Sequence, residues 1–90
     1  MRIKKTFVLR EIAGEYIVVP VGTTAIDFNG LITLNQTGVF LWKCLLEETS
    51  TEQIVCKLCE EYEVSDSTAT TDVNEFIACL KERKILNDND

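Results

Sequence analysis

The hydrophobic period of the chain changes at Asn35, within the stretch LITLNQTGVFLW (residues 31–42). Before Asn35, residues 31–34 form a short apolar run, which is typical of a strand. After it, apolar or small residues recur with spacings of three and four, as on one face of a helix: Gly38, Leu41, Trp42 and Leu45. Asn35 is itself a favourable N-cap residue. The stretch therefore predicts a sheet before Asn35 and helices after it.

Two further strands are predicted upstream of this boundary. Residues 7–12 (FVLREI) and 16–20 (YIVVP) are rich in β-branched and aromatic side chains. The three residues between them are short enough for a hairpin turn, in which Gly14 can adopt a positive φ. Pro20, the single proline of the chain, should end the second strand because it has no N–H for the ladder.

The third strand has an open register. Residues 25–34 contain the turn signal Asn29-Gly30 and fit either one bent strand or a small extra hairpin. We expect residues 31–34 to be the strand that joins the main sheet. Three strands make a stable sheet if helices cover it.

Three helices are predicted after Asn35, with bounds of about 36–47, 51–63 and 67–84. Ser50 and Gln53 form a capping box at the start of the second. The apolar stripes of the helices supply the expected core: Trp42, Leu45, Leu58, Phe76 and Leu80. The order predicts an α+β fold, a three-stranded antiparallel sheet followed by three helices with a helix-turn-helix core, in a single domain over residues 1–90.

The composition excludes several classes of function. The 90 residues suffice for one modest core but not for a deep catalytic cavity as well. Nine basic and fifteen acidic residues give a net charge of −6, which argues against nucleic-acid binding. Histidine is absent, so the commonest general acid–base and metal ligand is missing. No apolar run could span a membrane and no apolar segment of a secretory signal follows the basic N-terminus, so the expected compartment is the cytoplasm.

The charge is divided unevenly along the chain. Residues 1–46 carry five basic and three acidic groups, net +2, whereas residues 47–90 carry four basic and twelve acidic groups, net −8. The acidic part is either a solvated helical surface or a docking face for a basic partner.

Four cysteines are the remaining candidates for chemistry: Cys44, Cys56, Cys59 and Cys79. The Cys56-x-x-Cys59 pair could form half of a zinc site or a redox pair. However, it lies within a predicted helix rather than at a helix N-terminus, where a thiol pKa would be lowered. We therefore expect four reduced thiols that act as small apolar residues, with no metal and no cofactor.

Several short motifs together resemble the PqqD-like proteins, over about residues 7–86. Their order and spacing along the chain match those of that family: Leu34-Asn35, Thr37-Gly38, Leu41-Trp42, then Ile54, Leu58 and Tyr62, then Asp72-Val73, Phe76 and Leu80. The resemblance implies a winged helix-turn-helix-like domain without catalytic activity. It also implies a peptide chaperone that binds the leader segment of a ribosomally made precursor and presents it to a modifying enzyme, often a radical SAM enzyme, as in PQQ biosynthesis.

Two alternatives to a leader-peptide adaptor remain open at the level of the sequence. One is a winged-helix-like transcription regulator, although acidic residues such as Asp72 and Glu75 on the third helix would repel DNA phosphates. The other is a structural subunit that docks on a larger enzyme through its acidic helices. We expect a monomer or weak dimer, with no nucleic-acid and no membrane partner.

The predicted peptide site is the groove between the third strand and the third helix. An outer strand can pair with an extended peptide through its main chain, here Leu31, Ile32, Thr33 and Leu34. On the helix, Val73 and Ile77 would form an apolar pocket, unless both belong only to the core. Lys81 and Lys84 would attract the acidic side chains that the resemblance implies for leader peptides.

Overall fold

A computed structural model describes residues 1–22 and 32–87. The described elements are β1 (Arg2–Ile3), β2 (Phe7–Ile12), β3 (Glu15–Pro20), β4 (Ile32–Leu34), α1 (Gln36–Cys44), α2 (Thr51–Glu61), α3 (Asp66–Glu82) and β5 (Leu86–Asn87). A three-stranded antiparallel sheet of order β2-β3-β4 precedes the three helices. The predicted α+β class is confirmed. The expectations for Asn29-Gly30 and Leu31 lie outside the described residues.

The hairpin between β2 and β3 has a two-residue turn. Ile12 pairs with Glu15, which leaves Ala13 and Gly14 as the loop. Both loop residues have positive φ, 53° and 82°, the conformation whose twist matches the flanking strands. Glycine adopts this conformation without strain, so the sequence signal at Gly14 was the informative one.

Side-chain caps fix the start of each helix, and those at Asn35 and Ser50 were predicted from the sequence. The Gly38 N–H donates to Asn35 Oδ1 over 2.8 Å at the start of α1. Ser50 and Gln53 form the capping box of α2. Ser65 caps α3, where its hydroxyl accepts a bond from the Thr68 N–H. Each cap satisfies a backbone donor that the helix itself leaves unpaired.

All three helices end two or three residues before the predicted positions, at Cys44, Glu61 and Glu82. At the end of α3, Lys84 adopts a positive φ of 60° and thus lies outside the helix. At the end of α1, the Leu45 carbonyl accepts a bond from the Ile3 N–H over 2.8 Å. The end of α3 is therefore marked by a local change of backbone conformation, and the end of α1 by a contact with the distant residue Ile3.

A second, two-stranded sheet joins the two ends of the described chain and was not predicted. β1 and β5 pair antiparallel, with Ile3 opposite Leu86. The Lys4 N–H donates to the Ile85 carbonyl over 2.9 Å. Ile3, Ile85 and Leu86 are all buried. Strands of two residues are too short to produce a periodic signal in the sequence.

The buried apolar side chains form one cluster between the sheet and the helices. Its members are Ile3, Phe7, Val18, Leu34, Val39, Leu41, Trp42, Leu45, Ile54, Leu58, Ala69, Val73, Ile77, Leu80, Ile85 and Leu86. Four of the five predicted core residues are among them, and Phe76 is not. Phe76 is half-buried because it lies at the edge of the buried stripe of α3 and packs against the core from the side.

Candidate functional site

β2 and β4 are the two outer strands of the part of the sheet that the structure describes; the outer edge of β4, which includes the predicted peptide site, is called the open edge below. β4 pairs with β3 in the register Tyr16↔Leu34, Ile17↔Thr33 and Val18↔Ile32. An outer strand leaves every second residue with main-chain donors and acceptors that do not bond within the sheet. The register decides which residue of β4 that is.

The hydrogen bonds of the hairpin identify this residue as Thr33. In a hairpin with a two-residue turn, the pair next to the turn, here Ile12 and Glu15, is hydrogen-bonded, and from there hydrogen-bonded and non-hydrogen-bonded pairs alternate. The bond from the Val21 N–H to the Thr6 carbonyl (2.8 Å) fits this alternation. The residues of β3 that face β4 are then Tyr16 and Val18, which bond to their partners Leu34 and Ile32. Thr33 therefore directs its N–H and C=O towards the open edge.

The end of β4 and the start of α1 are held close together at Gly38. A Cβ atom at this position would lie 3.3 Å from both Leu34 Cβ and Asn35 Oδ1. A larger side chain would require these neighbours to shift by a few tenths of an ångström. The turn from strand to helix at Asn35 is thus tight, and the first turn of α1 stands directly beside the end of the open edge.

The predicted helix residues of the site lie in different environments. Val73 and Ile77 are only 1% and 7% exposed and belong to the core cluster. Lys81 is exposed in the last turn of α3, and Lys84 is exposed beyond the end of the helix. Their contacts with a peptide stay a prediction, as does that of Leu31, which lies outside the described residues.

A cleft of about 380 Å³ opens between the start of α1 and the middle of α3. Its lining residues are Asn35, Thr37, Gly38, Leu41, Asp72, Glu75 and Phe76. At 100° per residue, Lys81 lies about 140° around the α3 axis from Phe76. The side of α3 that forms this cleft is therefore not the side that carries Lys81.

This cleft, called the acidic cleft below because Asp72 and Glu75 line it, is indicated by the sequence only indirectly. From the sequence alone, Asp72 and Glu75 belong to a helix surface unsuited to DNA, and Phe76 is expected in the core. The available signal is the aromatic Phe76 at the border of an apolar stripe, preceded by two carboxylates, Asp72 and Glu75. Which border of the stripe faces the strand is decided by packing, which the sequence pattern does not encode.

A second cleft, of about 500 Å³, lies between α2 and the start of α3 and contains the Cys56-x-x-Cys59 pair. Cys59 Sγ donates to Asp66 Oδ1 over 3.4 Å. Desolvation raises the pKa of the Cys59 thiol, and the hydrogen bond to Asp66 and the charge of that carboxylate raise it further. A catalytic redox thiol needs the opposite shift, so the pair lacks the electrostatics of such a site.

The described residues offer no evident metal site. All four cysteines are free thiols. Within residues 1–22 and 32–87, no three Cys, Asp or Glu side chains are grouped so that they could hold a metal ion. In the same part of the chain, no helix is long and apolar enough to cross a membrane.

The four thiols should differ in their reactivity. Desolvation raises the pKa of Cys44, an effect that Lys57 partly offsets, and the pKa of Cys59 is raised as well. Near neutral pH we expect Cys44 and Cys59 to alkylate more slowly than the more exposed Cys56 and Cys79, because Cys44 and Cys59 are half-buried and their raised pKa values reduce their thiolate. Mass spectrometry over a time course measures this order. In denaturant all four should react alike, without bound zinc; a Cys56–Cys59 disulfide or stoichiometric zinc would contradict the prediction.

The comparison with protein families identifies the chain. The family model described as Coenzyme PQQ synthesis protein D (PqqD) matches residues 8–86. The chain belongs to the PqqD family. The match includes β2 except Phe7, then β3, β4 and all three helices, and so covers both β4 and the acidic cleft. Among curated protein sequences, none matches this chain significantly.

Two solved structures share the fold of this PqqD-family chain. TbiB1, solved in complex with the TbiA(beta) leader peptide, is 26% identical, with a TM-score of 0.78 over 100% of this chain and 99% of that one. A lasso peptide synthetase B1 complexed with the leader peptide is 21% identical, with a TM-score of 0.74 over 97% of this chain and 96% of that one. The second likeness supports the fold alone.

Proposed function

We propose that this PqqD-family domain binds the leader segment of a ribosomally made precursor peptide and presents it to the enzyme that modifies the peptide. The observation that carries the proposal is the open edge of β4, where Thr33 directs its main-chain groups outward. The likeness to TbiB1, which was solved with a leader peptide, supports the same ligand class. In this proposal the adaptor acts as one domain in the cytoplasm.

Strand addition is the binding mode that this edge favours. An extended peptide beside β4 would exchange main-chain hydrogen bonds with Thr33, and its alternate side chains would point to either face of the sheet. Each such bond contributes about 0.5–1.5 kcal/mol net. Because β4 has only three residues, the main chain alone gives modest affinity. Side-chain contacts next to the strand must therefore supply most of the selectivity.

The domain is proposed to be non-catalytic. It contains no histidine, and Cys44 and Cys59, whose thiol pKa values depart from the ordinary value, are shifted away from reactivity. The chemistry would come from the partner, for which the family resemblance implies a peptide-modifying enzyme such as a radical SAM enzyme. A role in DNA binding is disfavoured by the exposed carboxylates of α3, which include Asp72 and Glu75.

The direct test is a titration with the leader and core halves of a precursor peptide encoded beside this gene. Fluorescence anisotropy should show saturable binding of the leader half and none of the core half. Amide NMR of the complex should place the largest shift in β4 at Thr33, because its N–H becomes hydrogen-bonded. Equal binding of both halves, or leader binding without a change at Thr33, would contradict the proposed site.

The predicted role of Lys81 and Lys84 can be tested by charge reversal. Replacing both by glutamate should weaken binding of an acidic leader by about threefold to tenfold at low salt, and by less at high salt, because exposed charge pairs are screened. Binding is measured by anisotropy at the two salt concentrations. The matched control is Lys43→Glu with Lys57→Glu, two exposed lysines on α1 and α2. Equal affinities of the two double variants would remove these lysines from the site.

A further inference from the structure

The acidic cleft beside the open strand edge has features of a side-chain pocket. Asn35 follows β4 directly in the chain, and Gly38 brings α1 close to Leu34. The same two residues line the cleft, together with Phe76 of α3. A peptide that extends the sheet at β4 therefore has this cleft next to one end of its added strand.

The α3 side of the cleft is negatively charged, and no basic residue of the lining compensates that charge. Asp72 and Glu75 are three residues apart on α3 and so lie on neighbouring positions of the helix surface. None of the lining residues is basic. Within residues 1–22 and 32–87, neither carboxylate has an ion-pair partner. A bound cation would thus gain attraction without displacing an internal partner.

The cleft also has an apolar part, formed by Phe76. Leu41 is buried in the core, and Phe76 is half-buried and packs against the core cluster. Long basic side chains place their methylene stems on such surfaces while the charged end remains at the polar rim. An arginine can in addition stack its guanidinium group on an aromatic face.

We propose that the cleft binds a lysine or arginine side chain of the leader peptide, with its stem on Phe76 and its charged end at Asp72 and Glu75. This inference rests on the proposed function, because the peptide must first pair with β4. If the cleft binds in this way, the leader peptide carries a basic residue at a fixed distance from the segment that pairs with β4. The pocket would be a determinant of which precursor the domain accepts.

One other role for the two carboxylates has to be separated from this one. α1 has no acidic residue in its own first turn, so Asp72 and Glu75 could instead stabilise the positive end of its helix dipole. That role would change the stability of the domain on neutralisation, but not the sequence preference for a peptide. The experiment therefore measures both properties.

The test is a selection from a display library of random peptides long enough to form a strand. The wild-type domain should enrich peptides with Lys or Arg at one fixed position relative to apolar residues. The variant Asp72→Asn/Glu75→Gln should keep the apolar pattern and lose the basic position. Asp72→Lys/Glu75→Lys should enrich Asp or Glu there instead. The matched control Glu61→Gln/Glu63→Gln, at two exposed sites on and after α2, should select as the wild type does.

A selected peptide then allows a double-mutant cycle. Replacing its basic residue by norleucine should weaken binding to the wild type by about tenfold and binding to Asp72→Asn/Glu75→Gln by less than about twofold. Apolar enrichment without a basic position, or a lowered melting temperature of the neutralised variant with unchanged selection, would overturn the pocket alone. No enrichment of any peptide by the wild type would overturn the proposed function as well.

Discussion

Replacing Trp42 by alanine is expected to remove most of the stability of the domain. Trp42 is the single tryptophan of the chain, is 1% exposed and lies in α1. Truncating a buried tryptophan to alanine costs about 3–5 kcal/mol through lost burial and the cavity left behind. A domain of this length has a total stability near the lower end of the usual range of about 5–15 kcal/mol. The variant should therefore be largely unfolded in mild denaturant that the wild type tolerates.

Urea denaturation followed by far-UV circular dichroism measures this effect, since the variant lacks the fluorescent indole. Trp42→Phe retains a large apolar side chain and should keep most of the stability. Leu46→Ala is the matched surface control, because Leu46 follows α1 closely but is 55% exposed, and it should shift the midpoint little. A midpoint for Trp42→Ala equal to that of Leu46→Ala would show that Trp42 is not the centre of the core.

The fold could be predicted as far as local signals determine it. The change of period at Asn35, the caps at Asn35 and Ser50, and the turn at Gly14 are each encoded within a few residues. The pairing of β1 with β5 is not encoded locally, because Ile3 and Leu86 are distant in the chain and each strand has only two residues. The residue after α1 likewise contacts a distant part of the chain, since the Leu45 carbonyl accepts a bond from the Ile3 N–H.

The site was predicted from the sequence at the level of elements rather than of side chains. That β4 is an outer strand followed from the expected order of the strands. That Thr33 rather than Ile32 faces outward required two observations, the hydrogen-bond alternation of the hairpin and the register of β4 on β3. Both borders of the apolar stripe on α3 carry charged residues, Lys81 on one side and Asp72 on the other. Only the packing of α1 against α3 shows that the acidic border forms the cleft beside the strand.

The open edge of β4 leads to a sharp distinction between two proline substitutions. Ile32 bonds to Val18 across the ladder, so Ile32→Pro would break the sheet and destabilise the domain. Thr33 is opposite Ile17 in a pair that exchanges no hydrogen bonds, and its side chain is exposed. Proline on an outer strand with its nitrogen towards solvent is tolerated in sheets. Thr33→Pro should therefore stay folded.

Thr33→Pro is expected to weaken leader binding by at least about tenfold. It removes the outward N–H that would donate to the peptide, and its ring occupies the space where the added strand would lie. The lost hydrogen bond and the steric contact together exceed the roughly 1.4 kcal/mol that corresponds to a factor of ten in affinity. Anisotropy titration measures the affinity and urea denaturation confirms the fold. Thr33→Ala, which keeps the N–H, is the matched control and should bind like the wild type. If the folded Thr33→Pro domain binds the leader as tightly as Thr33→Ala, the peptide does not pair with β4, and both the strand-addition site and the neighbouring acidic pocket would have to be abandoned.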